Sequence, residues 1–347
     1  LGIARLEALK WRQRLARRDA PTLLPLAAAR ARGLQLNLPA APRPVQVGVQ
    51  RIDPWPMADL LQRIDWSPFF SSWQLSGRFP AILDDAVVGV EARRLHKDAL
   101  AMLDRLVADE TVNAAAVFGL FPANRRGDDL VIWTDAERRQ ERAVLHQLRQ
   151  QRHKKGPAPL LCLADFILAE GDGVDWLGAF AVTAGRGVAD LVARFEAEHD
   201  DYNAIMVKAL ADRLAEAMAE RLHERVRREF WGYAATEDLD NDELIRARYQ
   251  GIRPAPGYPA CPDHSEKATL WRLLDAEAAI GVSLTESFAM QPAASVCGLY
   301  FAHPQAEYFG LGPVAADQLA DYADRKDMTL AETARWLAPN LADDLVA

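Results

Sequence analysis

Ala115-Ala116-Val117-Phe118-Gly119-Leu120-Phe121, followed after a polar stretch by Leu130-Val131-Ile132-Trp133-Thr134, decides the class of fold. Each run is apolar, and each has the length of a buried strand rather than of a helix. Asn124 to Asp129 turns between them, and so short a connection sets the two strands antiparallel. Working outward, Leu160 to Leu168 and Trp176 to Thr183 read as further strands, with later ones near Val282–Thr285, Ala294–Ala302 and Tyr308–Leu311. Helical patterns separate them: Ala81 to Asp109 (clearest from Glu91), a charged stretch from Asp135 to Gln151, Val188 to Glu198, Lys267 to Ala279, Ala315–Arg325 and Leu330–Leu337. Strands clustered between helix runs and joined by short turns imply an α+β fold, a single large domain with a twisted, mostly antiparallel sheet flanked by helices.

Asp201 to Glu229 is the clearest helix. Leu210, Leu214, Met218, Leu222 and Val226 recur every fourth residue, Asp200 or Asp201 caps the start, and Lys and Arg crowd the end as the helix dipole favours. At the other extreme, Leu1 to Arg18 carries Ile3, Leu6, Leu9 and Leu15 at helical spacing, and Thr22 to Arg32 reads as a second short helix. The strip from Leu38 to Pro44 is too rich in proline for either regular structure and reads as an extended linker. Residues 1–44 are therefore expected to form an arm and a Pro-rich lead-in to a domain spanning 45–347.

The chain has 347 residues, half of them hydrophobic and 26% charged, enough to bury a sizeable core. Its formal net charge of -8 argues against a nucleic-acid partner, which needs clustered Lys and Arg. Cys162, Cys261 and Cys297 are few, odd in number and far apart, which suits a reducing cytoplasm better than a disulfide framework. No apolar run has the length of a membrane span. The amphipathic, charged start at Leu1 is unlike a secretory signal and suggests a piece of something longer.

Several motifs suggest chemistry without completing it. Gly185-Arg186-Gly187 and Gly310-Leu311-Gly312 each resemble the opening of a dinucleotide fingerprint, but position 190 is Asp and position 315 is Ala, so tight turns are the plainer reading. Glu198-His199-Asp200-Asp201 and Cys261-Pro262-Asp263-His264 have metal-ligand chemistry but no spaced second pair. Neither H-E-x-x-H nor G-x-S-x-G occurs, and no catalytic acid, base or nucleophile is nominated.

The distinctive segment is Arg253-Pro254-Ala255-Pro256-Gly257-Tyr258-Pro259-Ala260-Cys261-Pro262. Four prolines in nine positions exclude helix and central strand, and each pushes its predecessor toward extended geometry. The result is a stiff ledge bearing one guanidinium and one phenol, with Gly257 allowing close approach of a ligand. Such preorganisation lowers the cost of binding a small anion. A rigid crossing loop with Arg253 in a salt bridge fits the same residues.

This segment, continued by Asp263-His264-Ser265-Glu266-Lys267, resembles the AdoMet-binding activation domain of cobalamin-dependent methionine synthase. Further stretches resemble the same family in order: Ile64-Asp65-Trp66-Ser67-Pro68-Phe69-Phe70, Gly119 to Asn124, Leu163-Ala164-Asp165-Phe166, His199 to Asn203, Thr285 to Met290 and Trp336 to Leu341. The resemblance runs from about Val45 to Leu341. It implies that Arg253 holds the carboxylate of S-adenosylmethionine and that Ala255, Gly257 and Tyr258 contact the ligand from the ledge. It also implies that Asp65 and Glu216 face its cationic groups and that Tyr308 and Phe309 flank it. The family pattern has Tyr-Tyr at the last pair, so Phe309 departs from it.

The resemblance further implies reductive reactivation. The partners would be a neighbouring domain that carries cobalamin and a flavodoxin-type electron donor. Transfer of a sulfonium methyl needs alignment rather than a general base. The D-x-H-x-x-G cobalt-ligation motif is absent from this chain, so cobalamin is expected on that neighbouring domain. Two other readings stay open: a docking module that caps the cobalamin domain and recruits the donor without productive AdoMet binding, and a free-standing methyltransferase with another acceptor.

Overall fold

The protein is described by a computed structural model covering residues 22–37, 39–109, 111–342 and 345. Helix α1 (Leu26–Ala31) and strand β1 (Gly48–Trp55) lead to α2 (Trp66–Ser72) and α3 (Gly89–Asp109). A meander follows, β2 (Asn113–Arg126), β3 (Asp129–Trp133) and β4 (Glu141–His146), then β5 (Asp175–Arg186), α4 (Val188–Ala197) and α5 (Asp201–Arg225). The last part holds α6 (Asn241–Ile245), α7 (Glu266–Leu274), α8 (Ala276–Ile280), the short strands β6 (Ser283–Leu284) and β7 (Met290–Gln291), β8 (Ser295–Tyr300), α9 (Ala316–Lys326) and α10 (Leu330–Trp336).

The main sheet runs β4-β3-β2-β5-β8, every described pairing antiparallel, with β1 added on β2. β2 is long enough to use one edge twice, pairing β1 along its first half and β3 along its second, while β5 lines the other edge. Its residues are buried from Ala114 through Asn124 with no alternation, because the sheet is covered on both faces. Ala114, Ala116, Phe118 and Leu120 join the core under α3, α4 and α5. Ala115, Val117, Phe121 and Ala123 face the second core, which holds Leu270, Leu273, Leu274 and Ile280 of α7 and α8.

Helix α5 behaves as its pattern predicts. Asp200 caps it by accepting from the Asn203 N–H at 3.1 Å, and Leu210, Leu214, Met218 and Leu222 are wholly buried. One turn of π-helix, Val226–Phe230, ends it. The Glu198-to-Asp201 cluster is thereby accounted for as a helix start, and Gly187, at φ +85, is a tight turn whose Cβ would meet the Thr111 carbonyl.

Several expectations need correction. Asp135 to Gln151 is not a helix: its middle is β4, whose Leu145 is buried opposite Leu130 while Glu141 and Arg142 lie outside. The abundance of charge suggested a helix, and pairing along the edge of β3 decided otherwise. Leu160 to Leu168 holds one 3-10 turn, Leu163–Phe166, rather than a strand. There the Asp165 carboxylate takes a two-pronged grip from Arg149, both bonds 2.7 Å, and caps the Cys162 N–H, which bends the backbone out of extension. Tyr308 to Leu311 is a loop, not a strand, tied to the ledge by Leu311 N–H to the Pro259 carbonyl. Asp275, at φ +51, splits the helix expected over Lys267 to Ala279 into α7 and α8. The start of Ala81 to Asp109 is a separate 3-10 turn, Ala81–Asp84. Strand β1 and helix α2 were not anticipated. The helix proposed for Leu1 to Arg18 lies outside the described residues, and within Thr22 to Arg32 only Leu26–Ala31 is helical. That helix is tied to the sheet side by Arg30 to Asp128, and the proline strip docks through Trp231, whose indole N–H donates to the Pro42 carbonyl. No described helix is long and apolar enough to cross a membrane.

Helix α9 is locked to the segment after the proline ledge by a buried cation. Lys326 Nζ donates to Asp263 at 2.6 Å, Glu266 at 2.7 Å and Ser265 at 2.6 Å, and the Tyr322 hydroxyl also donates to Asp263. Burial raises both carboxyl pKa values, and Lys326 outweighs it at Asp263, which stays below its ordinary value, but not at Glu266. Removing the cation leaves two buried acids uncompensated. Lys326→Met is expected to cost about 3 kcal/mol of unfolding free energy, read as a lower urea midpoint.

Candidate functional site

The ledge begins as an edge to β8. Ile252 exchanges both backbone hydrogen bonds with Phe301, and Leu299 N–H donates to the Pro254 carbonyl at 2.8 Å. Proline suits this position because its carbonyl accepts while no donor is required of it. Gly298 makes room: a Cβ there would stand 2.7 Å from the Pro254 carbonyl. The chain then winds through a compact turn, with Tyr258 N–H to Ala255, Gly257 N–H to Cys261 at 2.7 Å, and Cys261 N–H to Tyr258. Gly257 has φ +95, and the His264 ring lies 2.2 Å from where its Cβ would be. Only glycine fits there.

Between this ledge, β8 and α5 lies a cleft of about 530 Å³. Its wall is largely apolar, with Phe180, Ala255, Val296, Cys297, Tyr308 and Phe309, and Glu216 and Arg253 close it on one side. A polar chamber of about 300 Å³ continues beyond them, lined by Asp65, Arg213, Glu216, Glu220, Tyr249, Arg253 and Tyr308. Glu216, Arg253 and Tyr308 belong to both spaces, so the two form one site with an apolar and a charged end.

Seven of the eight residues nominated from the sequence line this site: Asp65, Glu216, Arg253, Ala255, Tyr258, Tyr308 and Phe309. Gly257 shapes the ledge from within the turn rather than lining the space. Asp65 also caps α2, accepting from Ser67 N–H at 3.0 Å, so its turn-forming role and its place in the polar chamber coexist. Tyr308 is pinned to the ledge because its hydroxyl accepts from the Arg253 backbone N–H at 3.0 Å. Phe309 rests edge-on against Phe166. Tyr258 and Tyr308 are 57% and 50% exposed, which places two aromatic rings at the mouth.

Arg253 itself is four-fifths buried. Nη2 pairs with Glu220 Oε2 at 2.8 Å, Nη1 donates to the Tyr249 hydroxyl at 2.7 Å, and His223 Nδ1 is 3.4 Å away. Burial works against the guanidinium charge, and the neighbouring Glu220 carboxylate with the tyrosines more than restores it, so its pKa is raised. His223 goes the other way. Burial, then Arg227 and Arg253, hold its pKa far below the ordinary value. The ring is neutral, and Nδ1 faces a group that can only donate, so Nδ1 is the acceptor. Burial pushes the Cys297 thiol up to about 12, which rules it out as a nucleophile near neutral pH.

The sequence reading missed Glu220, His223 and Tyr249. A signal existed for two of them: Glu216, Glu220 and His223 are spaced four and three apart on α5 and therefore share a face. Tyr249 offered no such pattern. The Cys261-to-His264 stretch does not converge on a metal, since Asp263 is committed to Lys326, and no cluster of three metal-ligating side chains occurs among the described residues. The arrangement holds rather than reacts. A fixed cation can meet a carboxylate, two acids can face positive charge, and aromatic faces can stack on a ring or a sulfonium.

A family model described as vitamin B12 dependent methionine synthase, activation domain, matches residues 56–327. Among solved structures, a crystal structure of the MetH reactivation domain bound to AdoHcy is similar with a TM-score of 0.90 and 54% identity, over 92% of this chain and 98% of that one.

Gly257→Ala forces a Cβ into the His264 ring at a left-handed backbone position. It is expected to destabilise the protein by about 1–3 kcal/mol, measured by chemical denaturation, with the loss concentrated in hydrogen-exchange protection of residues 255–261.

Proposed function

The chain belongs to the family of activation domains of vitamin B12 dependent methionine synthase, and on that premise we propose that its cleft binds S-adenosylmethionine and presents the methyl group to cobalamin on a neighbouring domain. The observation that carries this reading is the meeting of an apolar and a charged space at Arg253. The ligand has the matching division: an adenine at one end and a zwitterionic amino acid at the other, with a sulfonium between. AdoHcy, present in the similar crystal structure, shares the adenosine and the amino acid tail.

In this reading Arg253 grips the carboxylate, and Asp65 and Glu216 lie on the side of the ammonium and sulfonium. Tyr258, Tyr308 and Phe309 supply aromatic faces, and the backbone of Ala255 and Gly257 sets the depth of the cleft. The sulfonium would supply an electrophilic methyl, and cobalamin on the neighbouring domain, reduced by an electron from a flavodoxin-type donor, would supply the nucleophile that takes it. The protein's own residues have only to bind, orient and exclude water. A neutral His223 and a protonated Cys297 agree with a step that needs no proton transfer. The exposed rings of Tyr258 and Tyr308 at the mouth suit docking of the cobalamin domain over the bound ligand. The domain alone would bind without turning over.

Calorimetric titration with AdoHcy is expected to show one site per chain. Arg253→Ala should weaken it by about 1.5–3 kcal/mol, the range for a lost hydrogen bond to a charged group. Wild-type protein that binds neither AdoHcy nor S-adenosylmethionine would favour a docking module instead.

A further inference from the structure

A guanidinium on a long side chain grips a carboxylate well only when its planar fork is already aimed. The proline ledge fixes the Arg253 backbone but not the four bonds beyond it. We propose that Glu220, a residue of α5 outside the ledge, is the positioning residue of the carboxylate subsite, holding Nη2 of Arg253 so that the fork is set before the ligand arrives.

This rests on the reading of the cleft as an S-adenosyl site. Glu220 Oε2 lies 2.8 Å from Nη2, and its side chain is 8% exposed. Among the described residues it is the anionic partner of Arg253, since Tyr249 contributes a hydroxyl at 2.7 Å and His223 a neutral ring nitrogen. Tyr249 and His223 both meet Nη1, and Glu220 pairs with Nη2, so the two sides of the guanidinium are held by different neighbours and its plane is set. Glu220 also has a firm base. It sits on α5 between the wholly buried Met218 and Leu222, while Arg253 sits on the ledge, so the pair transmits the rigidity of the helix to the side chain that binds. Its other oxygen, Oε1, is buried without a partner and spends nothing on a competing structural bond.

The test compares AdoHcy with 5′-methylthioadenosine, which keeps the adenosine and thioether but lacks the amino acid tail, on the full chain by calorimetry. Glu220→Ala should weaken AdoHcy by about tenfold while leaving methylthioadenosine within about twofold. Glu220→Gln, which keeps an acceptor for Nη2, should bind AdoHcy within about threefold of wild type. Glu220→Asp, whose shorter side chain draws the carboxylate back from Nη2 and which serves if the alanine variant does not fold, should weaken AdoHcy alone by about threefold. A Glu220→Ala protein that binds AdoHcy as tightly as wild type, or more tightly, overturns the proposal. So does equal weakening of both ligands, which a merely structural role would give, or a glutamine variant that behaves like alanine. Wild-type protein that fails to bind AdoHcy overturns the cleft reading itself, whereas a wrong pattern among the variants with normal wild-type binding overturns only the role of Glu220.

Discussion

Both faces of the β2–β5 pair are dry, and the rest of the molecule is arranged to keep them so. A two-sided buried sheet needs a cover on each side. Helix α5 with α3 and α4 provides one, and α7 and α8 provide the other. The free edge of β5 is then closed by β8, and the free edge of β8 by the start of the proline ledge. The cleft lies where these requirements meet, between a helix that must pack on the sheet and a stiff segment that must finish its edge. Its walls are therefore set by the core.

Electrostatics narrows what this cleft can do. The chain carries a net charge of -8, yet the junction of the two spaces is built around one deeply set cation, Arg253. Such a charge is tolerated when it is paired and hydrogen-bonded, and Glu220 with Tyr249 meets that need. Two titratable side chains near it are held in uncharged forms, His223 by burial and two nearby guanidinium groups and Cys297 by burial. A site of this kind can bind and orient a charged ligand, and neither its imidazole nor its thiol is poised for proton transfer. That agrees with the proposed presentation of a methyl group already activated by its sulfonium.

Local pattern was a good guide where one physical rule dominated. The fourfold spacing on α5, the turn between β2 and β3 and the prolines of the ledge each specify their own geometry. It misled where a distant partner overrode it. Asp165 is drawn into a 3-10 turn by Arg149, sixteen residues earlier. The charged run that contains β4 becomes strand because β3 offers it an edge. Tyr308 is held in a loop because its hydroxyl bonds to the backbone of Arg253, fifty-five residues away.

The amino-acid sequence by itself determined the α+β class, the long helix and the stiff ledge with its guanidinium, because spacing and proline chemistry act over a few residues. It also held enough ordered family words to nominate candidate site residues. Only the tertiary structure decided that Asp65, Glu216, Tyr308 and Phe309 share one cleft with the ledge, and that Glu220, His223 and Tyr249 gather around Arg253. Those contacts join residues that are distant in the chain and close only after the sheet has buried both its faces, and no local pattern encodes which distant side chain will meet a given guanidinium.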